Sequence, residues 1–283
     1  MTAKTLKRTR GIVWAVVSLV LIFILYVFLI GPFLVMISNS FKTTPEIVTI
    51  TPSLLPRKPT LDNFREIFGD KVFVNSLFNS IKIGLITMAL AMVLAIPTAY
   101  SMARFKNYLT KGMIGWILLS QMIPGIITIV PIYNILRLFS LTNTHAGLIV
   151  CYVVSSLPFA CWMMIGFVDG VPRELEEAAE IDGCGVIRMF FRILVPIILP
   201  GILTAGVFAF IGAWNELFAA LCLMRTPALQ TLPIRLQTYI GISGQARYSV
   251  LFAGCFVSTI PGLIVFMVFQ RFFVKGLTSG SIK

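Results

Sequence analysis

The side chains able to do chemistry in this sequence are few and far apart. The one histidine, His145, has no Ser/His/Asp or His/Glu cluster around it and no H-E-x-x-H pattern. The five cysteines, Cys151, Cys161, Cys184, Cys222 and Cys255, are odd in number and show no C-x-x-C or Cys/His ligand spacing. Four of them lie in apolar runs, where cysteine behaves as a small hydrophobe. No G-x-x-x-x-G-K-[ST] phosphate loop is present. We therefore expect no catalytic residue, no metal site and no cofactor bound directly.

Two stretches stand out against that background. The first holds Glu216, the carboxylate flanked by apolar residues on both sides, in Trp214-Asn215-Glu216-Leu217-Phe218. A charge at the centre of a bilayer costs on the order of 3 kcal/mol, so it faces a cavity or a partner. At a membrane interface it would simply be solvated, and the sequence leaves both open. Asn215, Glu216, Gln121 and Tyr152 are the candidates for a polar pathway, beside Tyr133, Asn134, Ser155 and Ser156. Each also suits a hydrogen bond between packed helices.

The second stretch is 171–183, Val-Pro-Arg-Glu-Leu-Glu-Glu-Ala-Ala-Glu-Ile-Asp-Gly. Pro172 suits the first turn of a helix and Gly183 its left-handed stop. Helical spacing groups Leu175, Ala178, Ala179 and Asp182 on one shallow face, and Arg173, Glu176, Glu177 and Glu180 on another. A second short helix from Val186 sets Arg188 and Arg192 against the acidic first one. A solvated charge run is the ordinary reading of such a pattern, while the small residues permit close approach of another surface.

Composition says what must hold these residues in place. Of 283 residues, 58% are hydrophobic and 12% charged, about half the ~25% charge of a soluble domain. That excludes an ordinary water-soluble domain, a disordered chain and a collagen-like fibre. The net charge of +12 comes from cations scattered between apolar runs, which is a membrane pattern and not a nucleic-acid stripe. A hydrocarbon core about 30 Å thick needs ~20 apolar residues. Six stretches qualify: 13–37, 83–103, 113–136, 146–168, 193–213 and 251–269.

The expected fold is all-α, a polytopic membrane protein with six transmembrane helices. A tail 1–12 precedes a membrane domain 13–274 that includes the loop 169–192, and a tail 275–283 follows. The uncharged run 13–37 is too long for a signal peptide's ~7–15-residue apolar region, and no A-x-A site follows it. Lys4, Lys7, Arg8 and Arg10, the 104–112 turn, and Arg271, Lys275 and Lys283 outweigh the lone Arg137 of the 137–145 turn. Both termini are therefore expected in the cytoplasm. Every span contains or ends near a proline, which fits plain bundle geometry and also a protein that encloses a pathway.

Glu177-Ala178-Ala179, three residues, Gly183, nine residues, then Ile193-Leu194-Val195-Pro196 resembles the EAA signature of ABC importer membrane subunits. The pattern E-A-A-x3-G-x9-I-x-L-P is met throughout, except that Val195 stands in place of Leu. Residues 99–105 at the end of the second span, Ala213-Trp214-Asn215-Glu216 in the fifth, and 270–280 near the end resemble the carbohydrate-type permeases. The chain is similar to the smaller permeases of maltose-type, binding-protein-dependent transporters.

The resemblance implies a type I ABC importer permease fold in a bacterial cytoplasmic (inner) membrane. It implies a second homologous permease subunit and two ATPase subunits that carry ATP and Mg. An extracytoplasmic solute-binding protein, a sugar or oligosaccharide substrate and membrane lipid complete the partners, with no nucleic acid. The 171–183 helix becomes the coupling helix, docking on the ATPase through Glu177, Ala178, Ala179, Asp182 and Gly183. Glu177 would meet a basic group there, the alanines would let backbones approach, and Gly183 would make the turn. The 225–247 loop, with Gln237, Gly241 and Gly244, would contact the binding protein, and the tail with Gly276, Ser279 and Gly280 would reach the ATPase. Composition alone also allows an ordinary surface loop and a disordered tail. A secondary transporter or channel would more often show intramembrane ion ligands and repeats, and an intramembrane enzyme would need paired acids or a Ser/His pair. The sequence shows one candidate carboxylate and no repeat.

Overall fold

The computed structural model describes residues 3–241 and 246–279, with side chains for 14–241 and 246–270. Among the described residues there is no β-strand. The helices are α1 (Ala3–Ser40), α2 (Thr44–Ile47), α3 (Asp62–Gly69), α4 (Lys71–Arg104), α5 (Tyr108–Ser120), α6 (Gly125–Leu138) and α7 (His145–Asp169). After them come α8 (Glu174–Ile181), α9 (Val186–Met189), a π-helical turn (Phe190–Leu194), α10 (Val195–Ile197), α11 (Leu199–Asn215) and α12 (Phe218–Leu223). A 3-10 turn (Pro227–Leu229), α13 (Leu232–Thr238) and α14 (Tyr248–Ser279) complete the order.

Four helical stretches are each long and apolar enough to cross a membrane: Trp14–Ser40, Lys71–Arg104, His145–Asp169 and Tyr248–Gln270. The other two expected spans are not straight. The 113–136 stretch is split into α5 and α6, bent by 106°, and the 193–213 stretch breaks at Ile198 with a bend of 75°. Prolines account for both breaks. Pro124 precedes α6 and pushes Ile123 out of helical geometry. Pro196 and Pro200 each remove a helical N–H, and the helix restarts at Leu199 with Pro200 in its first turn.

Two ends also differ from expectation. Helix α4 starts at Lys71 and not at 83, because the Asp70 side chain caps it, accepting from Val72 N–H at 2.9 Å. Helix α14 continues to Ser279, so Gly276 and Ser279 stand on a helix and not in a separate tail.

The chain divides into two compact units. One comprises Met1–Gly69 and Tyr239–Val257. Apolar α1 leaves most of its side chains exposed from Trp14 onward, which suits a helix meant for lipid or another subunit. Its end is tied locally. The buried Asn63 amide donates to the carbonyls of Ser40 and Lys42, both at 2.8 Å, and Phe41 and Phe64 pack with centroids 5.1 Å apart.

The other unit comprises Asp70–Thr238 and Ser258–Lys283. Its core joins α4, α7 and α11 through small side chains. Ala91, Ala95, Ala99 and Ala103 form one stripe of α4 at four-residue spacing, against Ala160, Cys161 and Met164 of α7 and Ala205 and Ala209 of α11. Small residues let membrane helices approach closely where no hydrophobic drive separates them from lipid. The approach is tight enough that a Cβ on Gly206 would lie 2.9 Å from the Met88 methyl.

Candidate functional site

Helix α8 has little to hold it, and what holds it is specific. Ala179 is its buried residue, 5% exposed, and packs into the core that contains Ala103 and Met189. Beside it Glu176 turns inward. Its Oε1 accepts from Arg104 Nε at 2.7 Å and Nη2 at 2.6 Å, and its Oε2 accepts from the Tyr100 hydroxyl at 3.1 Å. The two charged side chains are 8% and 13% exposed. Arg104 Nη2 also donates to the Val171 carbonyl at 3.0 Å, and Arg173 Nη2 donates back to the Arg104 carbonyl at 3.0 Å. That carbonyl belongs to the last turn of α4, where a cation is favoured.

The end of α8 follows from Gly183, whose φ of +75° is the left-handed conformation glycine adopts without strain. Gly183 N–H donates to Glu180 at 3.0 Å and Cys184 N–H to Ala179 at 2.9 Å, a Schellman pair of bonds. Glu177, Ala178, Glu180, Asp182 and Gly183 are exposed, and so is Ile181 at 87%. The small-residue face read from spacing is therefore divided. Ala178 faces out with Glu177, while Ala179 is spent on the chain's own core because it shares the inward side with Glu176. The Glu176–Arg104 pair escaped the sequence reading. The available signal was Tyr100 and Arg104, one turn apart at the end of an apolar run.

The second constellation lies between α7 and α11. A cavity of about 240 Å³ is lined by Tyr152, Ser155, Ser156 and Phe159 on one side, with Phe208 and Glu216 among those on the other. Glu216 sits where α11 has ended and α12 has not begun. Its Oε1 accepts from Ala219 N–H at 2.8 Å, and its Oε2 from Ala220 N–H at 3.1 Å and the Tyr152 hydroxyl at 3.0 Å. The carboxylate thus caps the short helix α12 and fastens the break to α7. Ser155 and Ser156 donate to the Cys151 and Val153 carbonyls at 2.9 and 3.2 Å, which leaves their oxygens able to accept. Phe159 and Phe208 meet edge to face at 5.4 Å. The wall offers hydroxyl acceptors beside aromatic rings.

Of the pathway candidates, Tyr152 and Glu216 are brought together here. Asn215 is exposed at the end of α11, and Gln121 is exposed at the α5–α6 break, outside this cavity. Phe159 and Phe208 were not singled out from sequence, because apolar aromatics within apolar spans carry no distinguishing pattern.

Much of the 225–247 loop is pinned rather than extended. Asn79 Nδ2 donates to the Ala228 and Gln230 carbonyls at 2.9 and 3.0 Å, and Ser80 Oγ accepts from Leu232 N–H at 2.8 Å. Arg235 pairs with Asp70. Gln237 and Gly241 are exposed, the latter with φ +72°. Gly244 and Gly280 lie outside the described residues.

Residues 91–279 match the family described as the binding-protein-dependent transport system inner membrane component. The trehalose transport system permease protein of Mycobacterium tuberculosis is 38% identical over 97% of this chain and 98% of its own length. The diacetylchitobiose uptake system permease protein of Streptomyces coelicolor is 33% identical over 98% of this chain and all of its own length. Among solved structures, a bacterial ABC transporter involved in import of the acidic polysaccharide alginate superposes with a TM-score of 0.81. That match has 20% identity and covers 92% of this chain and 96% of the other.

Proposed function

The chain belongs to the family of binding-protein-dependent transport system inner membrane components, and on that premise we propose how it works as a sugar permease subunit of an ABC importer. One observation carries the reading. The same helical unit presents the open face of α8 and builds, between α7 and α11, a wall of hydroxyls and aromatic rings. Sugar hydroxyls need hydrogen-bond partners and sugar C–H faces stack on aromatics, so the wall suits a sugar or oligosaccharide. The relatives that are permeases for trehalose and diacetylchitobiose support that substrate class. At about 240 Å³ the cavity is smaller than the ~300–1,000 Å³ of a closed small-molecule pocket. A passage completed by a second, homologous permease subunit accounts for the shortfall.

The face with Glu177, Ala178, Ile181, Asp182 and Gly183 docks on one of two separate ATPase subunits, which hold the ATP and Mg. The Lys/Arg asymmetry of the short loops supports the reading that both termini and α8 are cytoplasmic. The exposed Gln237 and Gly241 of the 225–247 loop meet the solute-binding protein. The end of α14, from Gly276 through Ser279, lies toward the ATPase.

The test is reconstitution of the permease pair with its ATPase and binding protein in proteoliposomes. Sugar uptake that requires external binding protein and internal ATP is the expected result. Uptake driven by an ion gradient without ATP would sink the reading.

A further inference from the structure

We propose that the buried Arg104–Glu176 pair, with Tyr100, is the rigid joint through which movement of α8 is passed to α4 and on to the cavity wall. The proposal rests on the reading of α8 as the ATPase-docking helix. It goes beyond that reading by naming the residues that convert docking into movement of the pathway.

Three observations lead there. The first is how α8 is attached. A helix of eight residues with one buried side chain has too little apolar contact to be held at a fixed angle. Its orientation is set by both oxygens of Glu176, and both are engaged by the last turn of a single helix, α4. With two donors on Oε1 and one on Oε2, both carboxylate oxygens are engaged, which a lone surface ion pair does not do.

The second is reciprocity. Arg104 reaches forward to Glu176 and to the Val171 carbonyl, while Arg173 reaches back to the Arg104 carbonyl. The linker from α7 into α8 is therefore tied to the end of α4 on both sides of Arg104. A push on α8 cannot swing it about the 170–173 linker without breaking these charge-assisted bonds. It must instead move the end of α4.

The third is what lies along α4. Its alanine stripe, Ala91 to Ala103, packs against Ala205 and Ala209, and these two residues also line the cavity. Packed interiors transmit displacement because they have few voids to absorb it. The route from the docking face to the cavity thus has one polar joint and one small-residue interface. A pathway of this kind needs demonstrated coupling and not contiguity alone.

The experiment uses the full importer in proteoliposomes, with three readouts: ATPase co-purification, ATP hydrolysis rate, and solute moved per ATP. The variants are Arg104→Gln, Glu176→Gln and Tyr100→Phe. In the two charge variants we expect the ATPase to co-purify and hydrolyse, while solute per ATP falls by roughly fivefold or more, the size of a modest coupling free energy. Tyr100→Phe gives a smaller fall in the same ratio. An unchanged ratio in Glu176→Gln and Tyr100→Phe overturns the proposal, including where Arg104→Gln fails to insert. Loss of co-purification in step with loss of transport also overturns it, since the pair would then serve docking. If the wild-type complex itself shows no ATP dependence, it is the permease reading that fails and not the joint.

Discussion

Two glutamates are drawn in from solvent in the α4–α13 region, and each is met by one tyrosine hydroxyl, yet they do different things. Glu176 accepts from Tyr100 at 3.1 Å and from the Arg104 guanidinium, on a helix 72 positions earlier in the chain. Glu216 accepts from Tyr152 at 3.0 Å, and its other donors are backbone N–H groups three and four residues further on. One carboxylate is charge-paired and joins two elements. The other is satisfied by neutral donors, caps α12 and fastens the break to α7. A guanidinium fork fixes direction across a distance, whereas backbone N–H groups at a helix start need only a nearby acceptor. The first arrangement suits transmission, and the second suits holding a wall in place.

The comparison breaks most sharply at Arg104. Removing one member of a buried pair leaves the other charge uncompensated, at a cost of about 3–5 kcal/mol, while replacing both by apolar groups is often near neutral. Arg104→Ala should therefore lower stability of the detergent-solubilised complex far more than the double change Arg104→Met, Glu176→Leu. Hydrogen exchange at residues 174–181 should rise with it. Equal losses in the single and double variants would mean that packing, and not charge pairing, holds α8.

At Glu216 the expected loss is smaller. Glu216→Ala strips a cap and leaves two backbone N–H groups and a phenol short of an acceptor, about 2–3 kcal/mol. Glu216→Gln keeps one carbonyl oxygen and should lose about 1 kcal/mol. Exchange of the 218–223 amides reads both. If Gln and Ala prove equally damaging, the negative charge matters and Glu216 resembles Glu176 after all.

The difference between the two sites also explains what the sequence could reveal. The α8 segment was legible because helix stops and EAA spacing are local: Pro172, Glu177 and Gly183 lie within one short stretch. Glu216 was legible as a charge out of place among apolar neighbours. Glu176 looked like one more acid in a charge run, since its partner is 72 positions away and helical spacing alone grouped it with Glu177. The six apolar stretches mark where helices lie, but Pro124 and Pro196 with Pro200 turn two of them into bent pairs. Proline predicts a weakness in a helix, and only packing decides whether it becomes a kink or a break.

Gly183 offers a local test that touches neither carboxylate. At φ +75° a Cβ costs about 1–2 kcal/mol, and the space around it is open, so backbone conformation is the whole penalty. Gly183→Ala should shift the melting of α8 by that amount, and Gly183→Asn by less, because asparagine tolerates the left-handed region. Amide exchange at Gly183 and Cys184 reports it. An alanine that is silent there would mean that the Schellman turn does not set the end of α8.

The smallest effects, and the most discriminating, are at the two tyrosines. Each phenol supplies one of several bonds to its carboxylate, and both carboxylates keep their main partners when it is removed. Tyr100→Phe and Tyr152→Phe should each therefore lose about 1 kcal/mol or less of stability, and stability will not tell them apart. Function should. Tyr152 lines the cavity, so Tyr152→Phe removes a hydroxyl from the wall proposed to face substrate, and the concentration dependence of uptake should shift while solute per ATP holds. Tyr100 does not line that cavity; it holds Glu176 and packs edge to face on Phe190 at 5.5 Å. Tyr100→Phe should leave the concentration dependence alone and lower solute per ATP. If the two variants instead shift the same quantity, the separation between a transmitting carboxylate and a wall-shaping one does not exist in this protein.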